Sequence, residues 1–174
     1  MILIQYNSAL YLQSNFPNLS FLIPNALDII LALTRKRNQF ECLIVMSVAG
    51  DVDVLQHTLA KYLVEIALPE YTLAHIPPSL LASAALYLSL MIQEPGASLS
   101  SVWSPTLQYY STYRPDDILP VVSSLASVLA KRGETKLRAV HTKYSSRKFM
   151  KVAEMPELAG EIVGKLARRK PTQL

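Results

Sequence analysis

The chain has 174 residues, 51% of them apolar, with five glycines and one cysteine. That much apolar content supports one packed domain with an extension and excludes global disorder. Seventeen Lys and Arg against thirteen Asp and Glu give a net charge of +4, and a single thiol excludes an internal disulfide framework and a cysteine-based zinc site.

Residues 1–27 carry no charge. Asn7, Gln13, Asn15, Asn18 and Asn25 interrupt the stretch and Pro17 and Pro24 break it, so no membrane span is expected, and Met1-Ile2-Leu3-Ile4 lacks the basic leader of a secretory signal. Asp28 to Leu33 can continue as a helix to Arg35-Lys36-Arg37, where cations suit the helix C-terminus. Cys42, within Cys42-Leu43-Ile44-Val45-Met46, reads as a small buried hydrophobe.

From Gly50 the pattern becomes regular. Gly50-Asp51-Val52-Asp53 is a turn, and Val54, Leu55, Leu59, Tyr62, Leu63 and Ile66 follow helical spacing until Pro69. His75-Ile76-Pro77-Pro78 opens a second helix, with proline in the first turn where its missing N–H costs nothing. Ser79 to Ile92 is apolar on nearly every side, which predicts a helix buried in the middle of a bundle. A loop from Glu94 to about Ser104 leads to a short helix at Pro105–Ser111, with Trp103, Leu107 and Tyr110 as packing groups. Arg114-Pro115-Asp116-Asp117 starts another helix, with acidic residues at its positive end. Ile118, Leu119, Val122, Leu125, Ala126, Val128 and Leu129 give its buried face, Lys131 and Arg132 its end, and Gly133 a C-cap. Glu134 to about Ser145 forms a further helix, and Glu157 to Arg169 a terminal amphipathic one through Leu158, Ile162, Val163 and Leu166. The fold class is all-α: a five-helix bundle with a C-terminal amphipathic helix and an irregular or helical N-terminal extension.

Charge is segregated along this layout. Residues 131–174 hold twelve Lys and Arg against four Glu, whereas the preceding 130 hold five basic and nine acidic residues. An asymmetry of this kind points to an acidic partner for the basic end: a phosphorylated protein, a nucleic acid or an import receptor. Lys165, Arg168, Arg169 and Lys170 could neutralise phosphates nonspecifically, but no nucleic-acid reading module accompanies them. Asp116-Asp117 is explained by the helix dipole rather than by acid–base chemistry. The three histidines lie far apart with no metal-ligand spacing. Tyr109-Tyr110 and Trp103 read as core rather than as a base-stacking platform. No convergent set of polar residues marks a catalytic site, no Gly-rich phosphate loop occurs and no cofactor is implied, so the residues alone point to a partner-binding helical module.

The run Gly50-Asp51-Val52-Asp53-Val54-Leu55-Gln56-His57-Thr58-Leu59-Ala60-Lys61-Tyr62-Leu63 is very similar to the first helix of the second cyclin box in vertebrate B-type cyclins. His75-Ile76-Pro77-Pro78-Ser79 resembles the start of that family's next helix. Trp103-Ser104-Pro105-Thr106-Leu107-Gln108-Tyr109-Tyr110 resembles its short third helix, and Ile118-Leu119-Pro120-Val121 and Lys143-Tyr144-Ser145-Ser146-Arg147-Lys148 its fourth and fifth. The resemblance fades upstream of Ser47 and divides the chain into a divergent N-terminal extension, 1–46, and a cyclin C-terminal domain, 47–170. It implies a regulatory, non-enzymatic protein of the G2/M cell cycle in the nucleus and cytoplasm, whose partner is a cyclin-dependent serine/threonine kinase. No specific nucleic-acid or membrane partner is implied. A complete cyclin has a first box that makes most of the kinase contact, and residues 1–49 do not resemble it, so a weakened kinase interaction is expected. Two alternatives stay open: a non-activating module that docks phosphorylated partners, and a partial gene product without independent function. B-type cyclins also hold phosphate in a pocket formed by an arginine just before the first of these helices together with a His and a Lys within it. The resemblance assigns His57 and Lys61 to that pocket, and Ile44-Val45 stand where the arginine would fall.

Overall fold

The computed structural model describes residues 38–94, 96, 99–132 and 138–169. The expected helix from Asp28, the basic Arg35-Lys36-Arg37, the Gly133 cap and Lys170 lie outside the described residues. Among the described residues every regular element is helical. The compact unit begins at Asn38.

Helix α1 spans Gln39–Ala49. It starts because Asn38 accepts hydrogen bonds from the backbone N–H groups of Phe40 and Glu41 and donates its amide to the Glu41 carboxylate, satisfying donors that a helix start leaves unpaired. It buries Leu43, Val45, Met46 and Ser47 and packs on the elements that follow. The sequence boundary at 46/47 therefore falls inside a helix, and the helix expected to open the domain at Gly50 is preceded by this one. The continuous apolar run within it, Cys42–Met46, is too short to tell a helix from a strand.

The α1 helix ends at Gly50, whose N–H bonds to the Met46 carbonyl at 2.9 Å, and the chain reverses through Asp51 at φ 52°. Helix α2, Val54–Ala67, opens with a reciprocal cap: the Gln56 N–H donates to the Asp53 carboxylate, and the Gln56 side chain accepts from the Asp53 N–H. After the 3-10 turn Tyr71–Leu73 comes α3, Pro78–Gln93. Every residue from Leu80 to Ile92 is buried, as its all-round apolar pattern predicts. Ala82, Ala84 and Ala85 let neighbours approach closely, and α1, α2 and α6 (Pro115–Ala130) all pack against it. The buried hydroxyls of Ser83 and Ser89 donate to the Ser79 and Leu86 carbonyls, so they add no unsatisfied polar group.

The stretch expected to be loop before Ser104 contains a short helix, α4, at Leu99–Val102. Helix α5, Pro105–Ser111, is capped by Ser104, whose hydroxyl accepts from the Leu107 N–H. The Trp103 ring packs on Tyr87 with centroids 5.7 Å apart and donates its indole N–H to the Tyr113 carbonyl. Tyr109 differs from its expected core role: it is 72% exposed and stands edge-on to Tyr110. At the start of α6 the Arg114 N–H donates to the Asp117 carboxylate at 2.9 Å, which gives that acidic residue the local, structural role its position suggests. At its end Arg132 donates to the Leu129 and Leu158 carbonyls, tying two segments together.

Helix α7 is described over Ala139–Tyr144, shorter than the expected Glu134–Ser145, of which residues 134–137 lie outside the described set. The expected terminal helix from Glu157 divides in two, a 3-10 turn at Pro156–Ala159 and helix α8 at Glu161–Arg168. Gly160 separates them because its backbone is extended, φ −68° and ψ 167°, and a Cβ there would lie 2.9 Å from the Glu157 carbonyl oxygen. The α8 helix buries Val163 and Leu166 against α6. No described helix is long and apolar enough to cross a membrane.

Candidate functional site

Both residues singled out by the resemblance lie on α2, one turn apart, yet their environments differ. The reciprocal cap at Asp53 sets the rotation of α2 so that His57 faces α1. There its Nδ1 lies 2.8 Å from the Ser47 hydroxyl, with both side chains buried. Burial first, and the nearby Lys61 charge second, lower the His57 pKa to about 4, so this imidazole is neutral at neutral pH and brings no positive charge to an anion. Lys61 is only half-buried. Its pKa is lowered by burial, a change partly offset by Glu65 and reinforced by Lys143 and Lys148. Of the expected His–Lys pair, then, Lys61 carries the charge, and Ile44-Val45 on α1 offer none.

The structure brings Lys61 together with residues that lie far away in sequence. One turn along α2, the Glu65 carboxylate accepts both contacts of the Lys143 ammonium, at 2.6 and 2.8 Å, and the Tyr144 hydroxyl at 2.8 Å. Glu65 is mostly covered while Lys143 is exposed. Tyr144 is fully buried, and burial together with the Glu65 hydrogen bond and charge pushes its ionisation far above the ordinary phenol range. Its ring stacks between Tyr62 and Phe149, with centroids 5.3 and 4.7 Å away. The Lys143 and Lys148 ammonium groups lie 5.5 and 5.8 Å from the Phe149 ring. That contact with the negative face of the ring restrains two otherwise mobile side chains. Phe149 ends the 3-10 turn Arg147–Phe149, and Met150 and Lys151 after it both hold left-handed backbone, φ 53° and 54°.

The Glu65 carboxylate thus holds one ammonium directly, that of Lys143, and Lys61 feels the charges of Glu65, Lys143 and Lys148. Residues 78 positions apart form this cluster, and spacing within one element gives no sign of it. The unbroken basic segment around Lys143-Tyr144 and Arg147-Lys148 was its only trace in the sequence. No group of three or more His, Cys, Asp or Glu that could hold a metal occurs among the described residues.

Among the described residues the architecture is an all-helical bundle packed round a helix buried from Leu80 to Ile92. Residues 38–158 match the cyclin C-terminal domain family, and the chain belongs to that family. The match begins at the residue that caps α1. The chain is 44% identical over 117 residues to the G2/mitotic-specific cyclin-B of Patella vulgata, covering 67% of this chain and 28% of that protein. It is 43% identical over 123 residues to the G2/mitotic-specific cyclin-B of Hydra viridissima, covering 71% and 30%. To the G2/mitotic-specific cyclin-B1 of Anguilla japonica it is 40% identical over 122 residues, covering 69% and 29%. The chain spans about three-tenths of the length of these curated relatives. The likeness to B-type cyclins noted from Gly50 onward thus holds, and the cyclin C-terminal domain match begins further upstream, at Asn38.

Proposed function

We propose that this chain acts in cell-cycle regulation at G2/M by binding a cyclin-dependent kinase through protein surfaces, without catalysing a reaction itself. The observation that carries this reading is the 40 to 44% identity to mitotic B-type cyclins over 67 to 69% of the chain. In this reading phosphoryl transfer belongs to the kinase, and the chain contributes contact surface and shape. The expected places of action are the nucleus and cytoplasm. Mixing the purified chain with a monomeric cyclin-dependent kinase, and measuring complex formation and histone phosphorylation together, tests it. Complex formation with stimulated phosphorylation supports an activating role. A complex without stimulation limits the role to binding. Absence of a complex refutes the proposal.

A further inference from the structure

We propose that the basic surface formed by Lys61 of α2 with Lys143 and Lys148, beside the Arg147–Phe149 turn, docks an acidic peptide segment of a partner protein, recognised through its carboxylates. The inference does not rest on kinase binding. It starts from charge: residues 138–151 contain Arg138, Lys143, Arg147, Lys148 and Lys151 and no Asp or Glu, and all five side chains are exposed. Among the described residues, the acids paired with cations here are Glu65, held by Lys143 and Tyr144, and Glu154, which reaches Lys151 at 3.7 Å with both partners half-exposed. Glu65 offsets Lys61 only in part, against the repulsion of Lys143 and Lys148, so positive charge is left over where Lys61 is already partly desolvated. An incoming carboxylate relieves that repulsion.

Geometry favours carboxylates in particular. The recess already accommodates one, Glu65, gripped by an ammonium and a phenol hydroxyl at 2.8 Å or less. The Phe149 ring holds Lys143 and Lys148 in place, which lowers the ordering cost of binding. Met150, 40% exposed beside them, adds an apolar contact suited to a peptide. Single-stranded nucleic acid fits less well, because it needs open aromatic faces for its bases. Here Tyr144 is buried and ammonium groups lie over Phe149.

The test uses the full chain and a fluorescein-labelled peptide of alternating Glu and Asp, followed by anisotropy at low and moderate salt, with a DNA strand of equal charge in parallel. The peptide is expected to bind saturably and more tightly than the DNA. Lys148→Glu is expected to weaken it by about tenfold or more, and Lys165→Glu on α8 by no more than about twofold. Lys148→Gln, with thermal melts of every variant, covers the case in which the charge reversal fails to fold, and a severalfold loss is expected there too. Failure of the wild-type chain to bind the peptide overturns the proposal. So does equal weakening by Lys148→Glu and Lys165→Glu, which would mean diffuse charge attraction, and so does tighter binding of the DNA, which would make this a nucleic-acid surface.

Discussion

Acidification should loosen this domain through His57, and the size of the effect follows from where the imidazole sits. In the unfolded chain the group titrates near 6.5, whereas in the fold burial and Lys61 lower its pKa to about 4. Below pH 6.5 the unfolded state therefore takes up a proton that the folded state refuses until about pH 4. The stability contributed by neutral His57 is complete above pH 6.5, declines as pH falls from there, and is exhausted once pH passes below about 4. At about 1.4 kcal/mol for each tenfold difference in proton affinity, the whole loss is about 3 kcal/mol, a large share of the stability of a typical domain. Urea unfolding at a series of pH values, on the wild type and on His57→Asn, isolates it. The asparagine keeps a polar atom toward Ser47 and does not titrate. The wild type should lose about 3 kcal/mol more than the variant between about pH 7 and pH 4. Parallel loss in the two proteins would refute the reasoning, because the acid sensitivity would then belong to the carboxylates.

Three further outcomes test the packing. Gly50→Ala should destabilise the chain by about 1–3 kcal/mol in chemical denaturation, since the new Cβ would lie 2.6 Å from Leu107 Cδ2 and Leu107 is itself buried. Tyr62→Phe should change stability by less than about 1 kcal/mol, because the Tyr62 hydroxyl has no hydrogen-bond partner among the described residues, whereas Tyr144→Phe should cost about 1.5–3 kcal/mol by removing a donor to the Glu65 carboxylate; equal effects would contradict this difference. Asp53→Ala should lower the unfolding midpoint by an amount corresponding to about 1 kcal/mol, through loss of the α2 cap.

The parts of the fold legible in the sequence were those whose local pattern already resembles their surroundings. Ser79–Ile92 is apolar all round and lies at the centre, and Pro105–Ser111 begins at a Ser-Pro pair that serves as cap and first turn. Helix α1 was not legible, since the apolar run Cys42 to Met46 is too short to tell a helix from a strand. Its one signal was Asn38 three residues ahead of Glu41, a pairing that the cap hydrogen bonds explain. The terminal segment misled in another way: its apolar spacing continues through Gly160, but the extended backbone there interrupts the helix. For the site, sequence could place His57 and Lys61 one turn apart but could not tell that α1 would cover the first and leave the second half open. Nor could it pair Glu65 with Lys143 and Tyr144, because that meeting depends on how α7 settles against α2.

The central helix α3 divides this protein into two regimes of tolerance to change. With every side chain from Leu80 to Ile92 enclosed, none of those positions can reach a partner, so substitutions along the axis register as lost stability and leave recognition to be altered elsewhere. The outer helices, each with one face in water, are free to exchange charges and exposed aromatics such as Tyr71 and Tyr109 without disturbing the axis. A lineage can therefore rewrite what such a domain binds while leaving its axis almost untouched, and divergence between descendants should accumulate in the shell as a record of partners rather than of folding.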